Sequence, residues 1–293
     1  MSTLKVNKLR DTAGSADAIT LDPNGGAVLA GVTTVTSVKV GAAVTISESG
    51  IEASGIGITC ANINGGAIGG RRNIVINGAM LVAQRGTSST TNGYGSVDRF
   101  RVVSSGTDEA PTHAQADVTS GTTPFTLGFR KSFKITNGNQ TGGAGAADFI
   151  KIQTRLEAQD IANSGWNYVS SSSNITLSFW VKSSVAQNFY GYLETHDSPV
   201  YLYPFETGSL SADTWTKVTK TIAGNSNLVF NNDTGEGLRI ELHPFYGTDS
   251  TDSGVSLNTW AAYGAGTRTP DQTSTWYTTN DATFEITGVQ LEV

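Results

Sequence analysis

The stretch NITLSFWVKSS, Asn174 to Ser184, decides how the larger part of this chain is read. Ile175, Leu177, Phe179 and Val181 alternate with Thr176, Ser178 and Lys182, so a period of two puts one apolar face inward and one polar face outward, as in a half-buried strand. The same alternation recurs at Ile74/Ile76, Phe100/Val102, Phe125/Leu127/Phe129, Ile150/Ile152, Phe189/Gly191/Leu193, Val218/Ile222, Leu238/Ile240/Leu242 and Phe284/Ile286. Turn-rich loops separate these runs, among them Asn137-Gly138-Asn139, Gly142-Gly143 and Asn231 to Gly235. Only Glu157 to Ala162 reads as helical. Many short strands and almost no helix predict an antiparallel β-sandwich.

The first aromatic residue is Tyr94, so all 11 Phe, 9 Tyr and 5 Trp lie beyond it. A segment without aromatics lacks the side chains that bury ~150–250 Å² each. The first 72 residues offer Val, Ile, Ala, Thr and Gly instead, in short runs at Leu4/Val6, Ile19/Leu21, Val32–Val35, Val38–Val40, Val44–Ile46 and Ile56–Ile58. Such a segment has little core of its own, and its β-branched residues predict pairing between chains, which also removes exposed strand edges. The run Gly65-Gly66-Ala67-Ile68-Gly69-Gly70 marks a neck. The expected organisation is an extended, Gly/Val/Thr-rich, inter-chain β shaft over residues 1–72 and a sandwich head over 73–293, assembled as a homotrimer.

Three stretches carry a resemblance. NIVINGAMLVAQRGTS (Asn73 to Ser88), followed by Ser96-Val97-Asp98-Arg99-Phe100, resembles the opening segment of head domains in fibre and minor structural proteins of tailed bacteriophages, especially marine ones. The run from Ile152 through LEAQDIAN to NITLSFWVKSS, and the terminal FEITGVQLEV, resemble the jelly-roll carbohydrate-binding modules on which such heads are built. The resemblance implies a jelly-roll head, residence in the virion and attachment through the N-terminus to other tail or capsid proteins. It transfers no site residue. The chain stops at Val293 directly after the last strand, so no further domain is expected beyond the jelly roll.

Charge narrows the partners. The net charge is −6, and the first 72 residues hold six Lys/Arg and five Asp/Glu of the chain's 19 and 25, leaving about +1 there and −7 in the remainder. An acidic head argues against nucleic acid, whose phosphates require clustered cations. The only basic pairs are Arg71-Arg72 and Arg130-Lys131. Cys60, the single cysteine, excludes an intrachain disulfide and reads as a buried strand thiol. No apolar run approaches the ~18 residues of a membrane span, and the polar start MSTLKVNKLRD is not a signal peptide. No membrane insertion is expected.

The chemistry of sites is sparse. His113, His196 and His243 are far apart, each expected at a strand end or in a loop, and no HExxH, phosphate-binding loop or GxSxG occurs. Glu194, Asp197, Glu206 and Glu241 are the carboxylates a glycosidase pair would draw on; they could meet in a fold, but nothing in their spacing says that they do. The chain is therefore expected not to be an enzyme. No cofactor is expected beyond a structural calcium, for which Asp249, Asp252 and Asp233 offer clustered oxygen ligands. Aromatic rings stack on the C–H faces of sugars, and the candidates are Tyr201 and Tyr203, two apart on one strand face, with Trp260, Tyr263, Trp276 and Tyr277 in Gly/Thr-rich sequence. Tyr190 and Tyr192 repeat the spacing of the first pair. The expected function is a phage tail fibre whose head recognises a host-surface glycan. The alternatives are a purely structural decoration or tail component without sugar binding, and, third, a glycan-cleaving enzyme.

Overall fold

The computed structural model describes residues 73–293 and, before them, eight short strands. The chain divides into two compact units, Met1–Ile68 and Gly69–Val293. In the first unit, β1 (Lys8–Leu9), β2 (Ile19–Leu21) and β3 (Ala27–Leu29) form one antiparallel meander, and β4 (Ser37–Val40), β5 (Val44–Ser47) and β6 (Gly50–Ala53) form another. Val38 opposes Ile46 and Val40 opposes Val44, so the register sets β-branched residues across from one another. A short pair, β7 (Asn62–Ile63) with β8 (Gly66–Ala67), follows. These pairings lie within the chain. Val32–Val35, Ile56–Ile58 and Cys60 lie outside the described residues.

The second unit contains β9 (Ser88–Ser89), β10 (Phe100–Ser105), β11 (Thr112–Asp117), α1 (Thr123–Thr126), β12 (Lys131–Thr136), β13 (Phe149–Glu157) and α2 (Ala158–Ala162). It continues with β14 (Asn174–Ser183), β15 (Asn188–Thr195), β16 (Tyr201–Ser209), β17 (Thr216–Ala223), β18 (Glu236–Tyr246), β19 (Ala261–Ala262), α3 (Thr275–Thr278) and β20 (Thr283–Glu292). Two six-stranded antiparallel sheets result. The front sheet runs β10-β13-β18-β15-β16-β19 and the back sheet β17-β14-β20-β12-β11-β9. The chain crosses repeatedly from one sheet to the other, which makes a jelly-roll sandwich rather than two meanders.

The alternation read from the sequence is the one that fills the core. Ile175, Leu177, Phe179 and Val181 of β14 are all buried, and so are Phe100, Val102, Ile150, Ile152, Phe189, Leu193, Leu238, Ile240 and Leu242 from the front sheet. Rings meet across the two layers: Phe100 and Phe133 at 6.2 Å, Phe179 and Phe205 at 6.2 Å, and Phe189 and Phe284 at 4.9 Å. Each such side chain removed from water contributes about 1.5–3 kcal/mol. Gly191 is required where it stands, because a Cβ there would lie 2.5 Å from the Glu241 carbonyl oxygen and 2.7 Å from the Phe205 ring.

Two expected strands are not strands. Phe125 lies in helix α1, where Pro124 occupies the first turn and Gly128, at φ +100°, reverses the chain toward β12. Residues 74–80 form turns laid along β20. Asn73 Nδ2 donates to the Val289 carbonyl at 3.2 Å, and Asn73 Oδ1 accepts from Leu291 N at 2.9 Å. Their apolar residues anchor this segment instead of building a ladder, with Ile74, Val75 and Met80 buried. Helix α2 falls on the one segment that read as helical.

Candidate functional site

The outward face of the front sheet carries polar and charged residues in cross-strand rows. Arg101, Gln153, Glu241 and Tyr192 stand opposite one another along β10, β13, β18 and β15. In the next row Arg155, Arg239 and Glu194 are in register. Half of this face is closed over. The segment after β18 returns across it: β19 pairs with β16, Thr269 Oγ1 lies 3.4 Å from His243 Nε2, and the Arg268 guanidinium sits 5.8 Å above the Tyr246 ring.

Beneath that cover is a buried acid with a full set of donors. Glu241 accepts from the Tyr192 hydroxyl at 2.5 Å, from the Tyr246 hydroxyl at 2.6 Å and from Gln153 Nε2, with the Lys151 ammonium 3.6 Å away. Burial, reinforced by Glu241, holds both tyrosine hydroxyls far above their ordinary range. Burial likewise lowers Lys151, against the pull of Glu241. His243 is pushed well below its ordinary range by burial, with Lys151 and Arg268 adding to the shift, so it is neutral. Glu241, both tyrosines and His243 are buried, with Lys151 at the margin, and the network acts as a polar core for the outer layer.

A second cluster links it to the open half. Arg239 donates through Nε to Glu236 at 2.7 Å and through Nη1 to Glu194 at 3.1 Å. Arg155 Nη1 reaches the other Glu236 oxygen at 3.2 Å. Burial raises Glu194, although Arg239 draws it back, and burial together with Arg239 lowers His196 beside it.

The open half is a groove of about 520 Å³. One wall comes from the loop before β10, with Gln84, Arg85, Tyr94, Asp98 and Arg99; the floor is Arg155 to Glu157 of β13, and Thr234 and Glu236 close the far side. The loop is fixed by its own polar groups. Asn77, at φ +60°, donates to the carbonyls of Val82 at 2.9 Å and Asp98 at 2.8 Å, and Asp98 Oδ1 accepts from Gln84 N at 3.1 Å. Those bonds tie the two ends of the loop together and aim Gln84, Arg85 and Arg99 at one space. Tyr94 is half-buried, its ring 5.9 Å from the Arg101 guanidinium. The volume suits a small ligand or a few sugar units.

No family model matches the chain, and no curated protein matches it. Among solved structures it is similar to the enzymatically active domain of tailspike protein 4 from bacteriophage CBA120, with 11% identity over 75% of this chain and a TM-score of 0.39. That likeness spans only 21% of the tailspike chain. It is also similar to the N-terminal cellulose-binding domain of Cellulomonas fimi β-1,4-glucanase C, with 12% identity, 72% of this chain, 97% of that one and a TM-score of 0.33. A family 11 carbohydrate-binding module from Clostridium thermocellum, in complex with a β-1,3-1,4-mixed-linked tetrasaccharide, gives 9% identity, 70% and 95% coverage and a TM-score of 0.32. All three likenesses are distant, and the jelly roll stands on the strand order and register described above.

The aromatic candidates do not converge. Tyr201 and Tyr203 do share a face, but it is the inward one: Tyr203 is core, and Tyr201 packs against it. Trp276 and Tyr277 are fully buried, the indole donating to the Thr283 carbonyl at 3.0 Å and the Tyr277 ring stacked on Phe245 at 4.3 Å. Tyr203, Trp276 and Tyr277 present no ring to a ligand, and Tyr201 is half-buried. Trp260 is half-buried against Tyr203 and donates to the Ala223 carbonyl at 2.9 Å, while Tyr263, 41% exposed, is held by Arg268. Tyr192 faces outward but is enclosed.

The calcium candidates are turn formers. Asp233 Oδ1 accepts from Gly235 N at 2.9 Å and Asp252 Oδ1 from Gly254 N at 2.7 Å. Among the described residues no three His, Cys, Asp or Glu side chains converge on a metal position, and Asp249 does not join Asp252 and Asp233 in one. The histidines also differ from expectation, since His113 and His243 are buried within β11 and β18 and only His196 follows a strand end.

The residues of this face were passed over in the sequence because their signal is one of residue type. Arg101 and Arg239 each occupy an outward position between inward apolar neighbours, and Arg155 one between Thr154 and Leu156. With Arg85, Arg99 and Arg268, six of the seven arginines in residues 73–293 fall on this face, whereas five of the six lysines do not.

Proposed function

We propose that this chain is a virion fibre protein whose head recognises a host-surface glycan in the front-sheet groove, while residues 1–72 serve attachment and trimerisation. The observation that carries the reading is the groove itself: a preformed cleft on a rigid sheet, with Tyr94 offering a ring face and Gln84, Arg85, Arg99 and Arg155 offering converging polar groups. Rigid strands hold such a site to the geometry that hydroxyl recognition needs.

Binding is favoured over cleavage by how the carboxylates are used. Glu236 is held by Arg155 and Arg239, Glu157 accepts from Gln159 Nε2 at 2.8 Å, and Asp98 fixes its own loop. None is left as an unengaged acid and base pair across the cleft. The test is a glycan array probed with the full chain and with Tyr94→Ala. Binding that Tyr94→Ala weakens by roughly tenfold or more, at unchanged melting temperature, supports the reading. A folded protein that binds no glycan on the array would hand the role to a purely structural virion component.

A further inference from the structure

We infer that the ligand of this groove is acidic, a glycan bearing carboxylate or sulfate groups, an inference that rests on the glycan reading above. Among the described residues, Arg85 and Arg99 make no ion pair and no side-chain hydrogen bond although both line one wall of the cleft, and Arg101, behind Tyr94 with its guanidinium 5.9 Å from that ring, makes none either. Arg155 joins them with a single contact to Glu236. The other two arginines of this face are occupied, Arg239 by Glu236 and Glu194, and Arg268 by the Ser250 and Tyr263 hydroxyls.

Unpaired guanidinium groups gathered against the trend of the molecule need a reason. Residues 73–293 carry a net charge of about −7, so an anion is repelled from most of this surface, and two unpaired guanidinium groups are where it would be admitted. Asp98, Glu157 and Glu236 line the cleft beside Arg85, Arg99 and Arg155, but Glu236 is held by Arg155 and Arg239, Glu157 accepts from Gln159 and Asp98 fixes its own loop, so Arg85 and Arg99 are the charges left to meet a ligand. Residue type adds to the argument. Arginine presents a planar fork that grips a carboxylate or sulfate with two parallel hydrogen bonds, and lysine does not. A cleft meant only for neutral hydroxyls is served by amides and aromatic rings and gains nothing from this concentration of cations.

The experiment titrates the full chain with oligogalacturonate, dextran sulfate and dextran, at about 50 and 300 mM NaCl. Binding of at least one acidic probe is expected, with dextran at least tenfold weaker and the acidic affinity falling severalfold or more at the higher salt. Which acidic probe binds separates carboxylate from sulfate. Arg85→Gln with Arg99→Gln should weaken acidic binding at least tenfold while the melting temperature holds, since both side chains are exposed; Arg101→Gln is the second variant. Dextran binding that matches the acidic probes and ignores salt, or acidic binding that survives these variants, overturns the inference and leaves the glycan reading standing. Failure of all three probes and of every glycan on the array removes both.

Discussion

Glu241→Gln is the substitution that best separates a structural acid from a chemical one. The change keeps shape and volume, so its cost comes from hydrogen bonding. In the folded head one carboxylate oxygen accepts from two tyrosine hydroxyls and the other from Gln153, with Lys151 at 3.6 Å. A glutamine turned to keep its oxygen on Tyr192 and Tyr246 sets its NH2 against the Gln153 amide, donor facing donor, and leaves the Lys151 ammonium, which still donates to the Tyr246 hydroxyl at 2.9 Å, without its counter-charge. Each stranded buried donor costs about 1–3 kcal/mol, and relief of the carboxylate's own desolvation offsets part of this. The expected loss is therefore about 2–4 kcal/mol, or roughly 4–16 °C in melting temperature for a domain of this size. Removing the uncompensated ammonium as well, with Lys151→Met, should restore part of the loss, and a double-mutant cycle from chemical denaturation measures the coupling. Melting within a degree or two of the parent for Glu241→Gln alone would refute the account, because it would mean the carboxylate is not holding these donors.

Three further outcomes follow from the same coordinates. Trp276→Ala should destabilise the head by about 3–5 kcal/mol, read by calorimetry, whereas Tyr263→Ala should cost less than about 1 kcal/mol; similar effects would mean the burial difference between them has been misread. Lowering the pH from about 7 to 5 should lower stability, because burial depresses His113, His196 and His243: the unfolded chain takes up their protons near pH 6.5 while the folded chain still resists, which gives each a slope of at most ~1.4 kcal/mol per pH unit. Glu194, raised by burial, acts in the opposite sense at the acid end of that range; a flat profile from 7 to 5 would contradict the buried histidines. A chain of residues 73–293 should fold alone and keep glycan binding with reduced avidity, measured by melting and by array, and a molten product would show that the head depends on the first 72 residues.

The fold was legible because its strands obey one rule. Ile175, Leu177, Phe179 and Val181 were assigned inward by alternation and are buried, as are Leu238, Ile240 and Leu242. The rule failed where apolar residues at the same spacing serve turns, as at Phe125 and Leu127, because Pro124 and Gly128 dictate the backbone there. The site was less legible. Alternation says that Tyr201 and Tyr203 share a face but not which face, and that depends on whether Leu202 or Tyr203 lies opposite the core-facing Leu193. The register places Tyr203 there and sends Leu202 outward under the covering segment. Trp276 and Tyr277 misled for a related reason: loop-like Gly/Thr sequence around an aromatic marks a chain that crosses the core end as readily as one that meets solvent.

The closed and open halves of the front face depend on each other. Arg239 stands at their junction, its guanidinium fixed by Glu236 and Glu194, and Glu236 in turn holds Arg155 on the groove floor. Glu241 and Tyr192 lie one row away in the same sheet, so the enclosed network holds rigid the strands from which these side chains project. Glu194 and Glu241, which read in sequence as loose candidates for catalysis, are in this arrangement supports of the cleft's framework. A sandwich whose inner face is used for its core has only its outer faces left for recognition, and here one half of such a face is covered and hydrogen-bonded while the other holds Arg85 and Arg99, which have no side-chain partner among the described residues. On the proposed reading that division has a use: the covered half supplies rigidity, and the open half leaves Arg85 and Arg99 to a ligand.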